Sequence, residues 1–384
     1  MVKYTILKFG GSSFTEDKYP IIFNQIKKNV DTNIVVVVSA IQNTTNMLWK
    51  IIDYKENTFN KIKEMHLNIS SKLKIDTTNI LNCLSELNKS ITEFTTEFTV
   101  QNKIKIISYG EILSSIVLTE YLNKNSAKCK CINARNFIRS KSLSKNMDTF
   151  NLHLNGEFVC NKDALLFLMD NDTTVYVTQG YIASTLDMKY CVLSRSGSDT
   201  TAALIANCLC ANKVEIWTDV NGMFTADPND IPEALLIETL NYSVAQEIAA
   251  SGSAVIHPFC LKPCYDKNIP IEIHNTSEPD NSKFTTINCF SNNDPSKIYS
   301  ISREKKITVF NIKTEDMWNN YGFVADIFKI FSDNSVDVNI ITTSHISVST
   351  TTNEISKEKL ITVYDALNKK YSNISMKQNC NIIS

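Results

Sequence analysis

Residues 6–14 read Ile-Leu-Lys-Phe-Gly-Gly-Ser-Ser-Phe, an apolar run with one lysine that breaks into two adjacent glycines and two serines. The chain holds only 9 Gly in 384 residues, about a third of the ordinary usage of roughly 7%. Asn, Lys, Ile, Ser and Thr are abundant instead, the mark of a compositional drift that replaces what can be replaced. A glycine that survives such drift is needed for its backbone freedom or its missing side chain. At the end of a strand, Gly10, Gly11 and Ser12 expose backbone N–H groups that can converge on an anion. Lys8, two residues upstream, can reach a phosphate. The stretch is not a GxxxxGK[ST] loop, and a plain tight turn after an edge strand is the other reading of it.

Working outward, residues 2–8 and 34–39 are short, dense, β-branched runs of the kind that form parallel strands buried on both faces. Between them, "YPIIFNQIKKNV" carries helical spacing of apolar residues. Strand, helix, strand begins an α/β sheet. Residues 56–100 read as mostly helical. "KIKIISYGEILSSIVLTEYL" reads as a strand or loop entering a helix near Gly110. "TTVYVTQG" and "KVEIWTDV" are further strands, with a helix, "SDTTAALIANCLCA", between them. Residues 276–296, rich in Ser, Asn, Asp and Pro, place a linker over 281–299. The organisation expected is thus a domain over 1–280, the linker, and a small α+β domain over 300–384 that reads β-α-β-β-α plus a tail.

The bulk numbers exclude several classes. A formal net charge of −1 gives no field for nucleic acid or a membrane surface. No apolar stretch reaches the ~18–20 residues of a spanning helix. The N-terminus enters a strand-like run at once, without the regions of a signal peptide, so a cytoplasmic chain is expected. The eleven cysteines lack zinc-ribbon spacing and read as reduced thiols.

Two further stretches can carry chemistry. In "LSRSGSDTTAALIANCL", from Leu193, a small-residue loop with Arg195 and Gly197 precedes Ser198 and Asp199 at a helix start. Ser198 or Asp199 can cap that helix, its N-terminus favours anions, and Arg195 is suited to grip a carboxylate. A capped helix beside a surface arginine is the alternative. In "EIWTDVNGMFTADP", residues 215–228, a strand ends at Thr218 and Asp219, where ligands of open α/β sheets lie. An ordinary loop is the alternative there.

Taken in order, "KFGGSS", "VVVVSAIQNTTNML", "SYGEILSS", "TQGYIA", "LSRSGSDTTAA", "EIWTDVNGMFTADP", "LNYSVAQEIAASGSAVIHP" and "IPIEIHNT" resemble the catalytic-domain motifs of the aspartate kinases, within the amino acid kinase family. "MWNNYGFVADIFKIFSDNSVDVNIITTSHISVS" is similar to the first ACT domain of those enzymes, a ligand-binding regulatory module. Every glycine except Gly156 falls inside these motifs. The resemblance implies an α/β fold, a three-layer open-sheet kinase domain followed by an ACT-like (ferredoxin-like) α+β domain. It implies phosphoryl transfer from ATP, carried with Mg²⁺, to the side-chain carboxylate of L-aspartate. Lys8 and Asp199 would be the catalytic pair. Ser39, Thr45, Glu111, Arg195 and Ser198 would bind the substrate. Gly10, Gly11, Ser12, Thr218, Asp219 and Phe224 would bind the nucleotide, the two glycines letting phosphate oxygens approach their backbone. No metal site of the protein's own, no nucleic acid and no membrane are expected; a small domain whose sheet edge lacks its intramolecular neighbour predicts a homodimer joined at least partly through residues 300–384.

The chain departs from the family pattern at several places. Ser194 and Ser196 stand where the family has glycines, and Cys191 and Val192 where it has threonines. Ala254 replaces a lysine that faces the ATP phosphates, Asn229 an arginine, and Phe224 a tyrosine. Lys262, two turns beyond Ala254, is the candidate replacement for the lost cation. Relatives carry two ACT units, and here the second is largely missing. Asn339 and His345 replace acidic residues of the ligand-facing stretch, so family-style inhibition by lysine or threonine is not expected. Two other readings follow from the departures: a non-catalytic amino-acid-binding relative that acts on a partner, and a kinase of this fold for another carboxylate.

Overall fold

The computed structural model describes residues 3–29, 31–54, 56–143, 158–170, 172–193, 196–252, 255–291, 294, 296–314 and 321–384. The chain divides into two compact units, 1–300 and 301–384.

The first unit starts with β1 (Tyr4–Phe9), α1 (Tyr19–Lys28) and β2 (Asn33–Val38). Helices α2 (Thr44–Tyr54), α3 (Phe59–Leu73), α4 (Thr78–Thr96) and α5 (Val100–Lys124) follow. Then come β3 (Cys129–Ile132), β4 (Ile138–Ser140), β5 (Phe158–Cys160), α6 (Lys162–Leu168), β6 (Val175–Gln179), β7 (Ile182–Ser184) and β8 (Tyr190–Val192). The unit closes with α7 (Gly197–Leu209), β9 (Lys213–Thr218), β10 (Thr239–Asn241), α8 (Tyr242–Ala250), α9 (Pro258–Tyr265), β11 (Ile271–Asn275) and β12 (Thr285–Asn288).

Eight strands form one sheet in the order β10-β12-β11-β9-β1-β2-β6-β3. From β11 to β3 all neighbours are parallel, and β12 runs antiparallel to β11. After its first residue, each of β1 and β2 is buried at every position, which is why both read as unbroken apolar runs. Helices cover both faces. Phe9, Val38 and Gln179 are register partners across β1, β2 and β6, and Gln179 Nε2 donates to Ser115 Oγ of α5 at 2.8 Å. Lys8 lies on the opposite face, since side chains alternate along a strand, and there it meets Asp199 of α7. A second sheet, β5-β4-β7-β8, lies in the same unit.

Two sequence expectations fail here. Residues 103–110 are helix from the start, inside α5. Ile104, Ile106, Ile107, Leu113, Val117 and Leu118 are all fully buried, and Ser108, Glu111, Ser114 and Ser115 between them are buried too, so apolar and polar residues share the buried surface and no amphipathic period shows. The linker expected over 281–299 contains β12, whose Thr285 and Ile287 are buried in the sheet. The Ser/Asn/Asp-rich composition hid a four-residue strand with only one aliphatic side chain.

The second unit is β13 (Arg303–Lys313), α10 (Phe323–Asp333), β14 (Ile341–Thr343), β15 (Ser347–Thr352), α11 (Lys357–Lys370) and β16 (Ile374–Ile383). Its sheet runs β14-β15-β13-β16 and is antiparallel throughout. Phe310, Ile312, Ile327, Phe331, Val363 and Leu367 pack its core. The expected tail is thus an edge strand, β16, and the unit has the ACT-like α+β arrangement.

Candidate active site

The carboxyl ends of β1 and β2 are joined first by the backbone. Gly10 N donates to Trp217 O of β9 at 3.0 Å, and Ser39 N donates to Phe9 O at 3.2 Å. A Cβ on Gly11 would stand 2.5 Å from Ala40 O. The glycine at 11 is therefore required by the turn after β2, whatever binds there. A Cβ on Gly10 would meet nothing nearer than 3.5 Å, so only Gly10 leaves room for the reading in which a ligand needs the space. Lys18, which the sequence reading passed over, donates from Nζ to Ser12 O at 2.9 Å.

From the other side, Gly180 at the end of β6 admits the start of α7. A Cβ there would lie 2.4 Å from Ser198 Oγ. Ser196 caps α7 from the left-handed region, φ 53°, and makes no side-chain cap hydrogen bond. The expectation that Ser198 or Asp199 caps the helix is thus corrected, since both lie within its first turn. The reason is electrostatic. Asp199 Oδ1 is 2.7 Å from Lys8 Nζ, with side chains only 7% and 10% exposed. The contact is an ion pair without aligned hydrogen-bond geometry.

Between these elements lies a cavity of about 600 Å³. Ser39, Thr45, Glu111 and Ser198 line it, as the sequence led one to expect, together with Ala40, Asn46, Trp49, Tyr181, Ser196 and Gly197. Glu111 Oε1 accepts from Ala40 N at 3.3 Å, while Oε2 is buried with no partner. Burial pushes the Glu111 carboxyl up to about 8, against smaller opposing effects of backbone hydrogen bonds. Tyr181, at φ 68°, is also raised, by burial first and then by the nearby Glu111.

The nucleotide-side candidates gather around the ends of β1 and β9. Gly10, Gly11 and Ser12 follow β1, and Thr218 ends β9, with Oγ1 donating to Asp219 Oδ1 at 3.1 Å. Phe224 bridges to Leu236 and accepts at its carbonyl from Ser300 Oγ at 2.9 Å. Asn229 donates from Nδ2 to Asp227 Oδ1 in an exposed turn. Lys262 does not take the place of the lost lysine. Its side chain is 81% exposed and pairs with Asp266. Arg195, Ser194 and Ala254 lie outside the described residues. His257 caps α9 by accepting from Phe259 N at Nδ1. Burial lowers the His257 imidazolium, and the Asp199 charge opposes that.

The residues missed by the sequence reading divide by signal. Asn46 and Trp49 follow Thr45 on α2 at i+1 and i+4, and helical spacing puts Trp49 beside Thr45. Tyr181 reaches the cavity by a long-range approach that no local pattern marks.

A model of the amino acid kinase family matches residues 3–275. Chloroplastic aspartokinase 2 of Arabidopsis thaliana is 30% identical over 367 residues, 90% of this chain and 65% of that protein. Lysine-sensitive aspartokinase 3 of Escherichia coli K12 is 26% identical over 366 residues, 91% of this chain and 78% of that protein. The chain spans 64–65% of the length of the chloroplastic aspartokinases 2 and 3 of Arabidopsis. Among solved structures, E. coli aspartokinase III in complex with aspartate and ADP has a TM-score of 0.83 at 22% identity, covering 99% of this chain and 87% of that one. Aspartate kinase of Clostridium acetobutylicum has a TM-score of 0.75 at 23% identity, covering 99% and 86%. Both have the fold described above.

Proposed function

The chain belongs to the amino acid kinase family, and from that premise we propose that it transfers the γ-phosphoryl group of ATP to the side-chain carboxylate of L-aspartate, giving 4-phospho-L-aspartate. The observation that carries this reading is Glu111. A buried carboxyl with one unpartnered oxygen on a cavity wall calls for a cationic ligand. An α-ammonium supplies it. Ser39, Thr45 and Ser198 stand around the same cavity as hydrogen-bond donors, and Arg195 takes the α-carboxylate. The E. coli relative solved with aspartate and ADP supports the choice of substrates.

In the reaction, a side-chain carboxylate oxygen attacks the γ-phosphorus and the bond to the β-bridging oxygen breaks. ADP leaves, and no proton need move. Such transfer depends on positioning and on neutralising charge. Lys8 neutralises the migrating phosphoryl group, and Asp199 holds Lys8 in place until phosphate arrives. The amides of Gly11 and Ser12 receive phosphate oxygens, while Gly10, whose own N–H is held by Trp217 O, leaves the space beside them open. Thr218, Asp219 and Phe224 hold the nucleotide. No cluster of three or more metal-ligating side chains occurs among the described residues. Mg²⁺ would come with ATP, bound through its phosphate oxygens and water, where it offsets their charge. The chain acts as a homodimer joined at least partly through residues 300–384.

Trp49 and Tyr181 on the cavity wall favour one second reading, a kinase of this fold for a different carboxylate. An ADP-release assay over a panel of amino acids and simple carboxylates decides, with hydroxylamine trapping of the acyl phosphate. L-Aspartate should give ADP and hydroxamate in equal amounts. ADP release without hydroxamate, or with another acid only, would overturn the aspartate assignment.

A further inference from the structure

Cys160 ends β5, an edge strand of the small sheet, and Cys208 sits near the end of α7. They are 48 positions apart in the chain, yet Cys208 Sγ donates to Cys160 O at 3.6 Å. The two thiols are close enough for each to shift the other's ionisation. Both side chains are half-buried, so a small solute can reach them. Lys162, the first residue of α6, places its ammonium within electrostatic reach of Cys208.

We propose that Cys160 and Cys208 form a hydroperoxide-oxidisable dithiol, a site of reversible covalent modification that ties β5 to α7. The two thiols have different parts in it. The interaction with Cys160 lowers the Cys208 thiol and Lys162 adds to the effect, against burial and the Asp163 charge. The same interaction, with burial, raises Cys160. Cys208 is therefore the thiolate that reacts first. It attacks one oxygen of hydrogen peroxide, the O–O bond breaks, and hydroxide leaves and takes up a proton to become water. Cys208 is then a sulfenic acid. Cys160 attacks its sulfur, the S–O bond breaks and the S–S bond forms. The departing hydroxide combines with the Cys160 proton. Two thiols and one peroxide give one disulfide and two waters, a two-electron oxidation.

The bond would close a loop holding α6, β6, β7, β8 and most of α7. Closing a loop of this length restricts the unfolded chain, and the melting temperature of the first unit should rise by about 3–6 °C. The tie also fixes the far end of the helix whose first turn brings Asp199 to Lys8.

The test uses the full chain, reduced, desalted and treated with hydrogen peroxide, then alkylated and mapped by non-reducing mass spectrometry. The expected product is a Cys160–Cys208 peptide, with a melting temperature that rises and returns on adding dithiothreitol. Cys208→Ser should leave Cys160 reduced. Cys160→Ser should leave Cys208 as a sulfenic acid that dimedone traps. Oxidation of the exposed Cys131, Cys210 or Cys289 while Cys160 and Cys208 remain free would overturn the proposal. So would dimedone labelling of Cys160 in Cys208→Ser. None of these outcomes depends on the kinase reading, since none reads turnover.

Discussion

Glu111 offers the sharpest test of the site, because its ligand-free state and its ligand-bound state need different protonation. Burial holds its carboxyl at about 8, so at pH 7 the empty site keeps the proton on about nine-tenths of the molecules. A cationic ligand needs the carboxylate. Aspartate binding should then tighten as pH rises, by about 50-fold between pH 6 and pH 8, the ratio of the ionised fractions. At pH 7 binding should release about 0.9 proton. Titration calorimetry in two buffers of different ionisation enthalpy reads both quantities. Glu111→Gln should bind at least about 30-fold more weakly at pH 8, since a deleted partner of a buried pair costs 2 kcal/mol or more. Its affinity should also be flat with pH. His257 is lowered from its ordinary value and stays neutral over most of this range, and the Gln variant controls for it. The stability of the empty protein has the opposite sign. The native state holds the proton and the unfolded state releases it above about 4.5. Stability should fall by about 1.4 kcal/mol per pH unit from pH 4.5 to pH 8 and level off above that. A wild-type affinity that does not change with pH, or the same slope in Glu111→Gln, would refute the assignment of the ammonium to Glu111.

Lys8→Ala should lower kcat by about 10²–10³ and also destabilise the fold, because Asp199 is left buried and unpaired. The pair Lys8→Met with Asp199→Asn should recover stability in urea but not turnover, and recovered turnover would remove Lys8 from the chemistry. Ser196→Gly should stabilise the protein by about 1 kcal/mol, read from the urea midpoint, because Ser196 holds a left-handed φ of 53° that glycine adopts freely. In the second unit, β14 and β16 are the open edges of the sheet, and such edges invite pairing with a second copy. Light scattering should report a dimer, and a monomer at micromolar concentration would count against pairing through this unit. With Asn339 and His345 where the family resemblance leads one to expect acidic residues, millimolar lysine and threonine should leave turnover nearly unchanged, and strong inhibition by either would contradict that.

The central strands were legible because burial on both faces favours apolar residues throughout. Residues 34–38 are all Ile and Val, and they read so. Where one element is wrapped on all sides by helices and strands, as α5 is, the period that marks a helix disappears and the first turns near Ile104 read as something else. β12 was hidden because threonine side chains fill buried positions there, and Thr285 looks like loop composition until its partners are known. The site divides the same way. Lys8, Ser39 and Thr218 lie at strand ends, and Ser198 and Asp199 at a helix start, so each is fixed by its own element. Tyr181 and the counter-ion role of Asp199 depend on approaches between segments far apart in sequence. The strain at Ser196 is likewise a property of the turn's path, which the letters at 194–197 leave open.

The Lys8–Asp199 pair also bears on how the site responds to salt. An exposed basic cleft draws anions over a distance, and its grip weakens as ionic strength shortens the Debye length to about 8 Å under physiological conditions. Here the main cation at the end of β1 is already matched by a carboxylate 2.7 Å away and sheltered from solvent, in a chain whose formal net charge is −1. Little long-range field remains for added salt to screen. Capture of the nucleotide becomes an exchange of one short-range partner for another, carboxylate for phosphate, and its rate should vary little between low and high ionic strength.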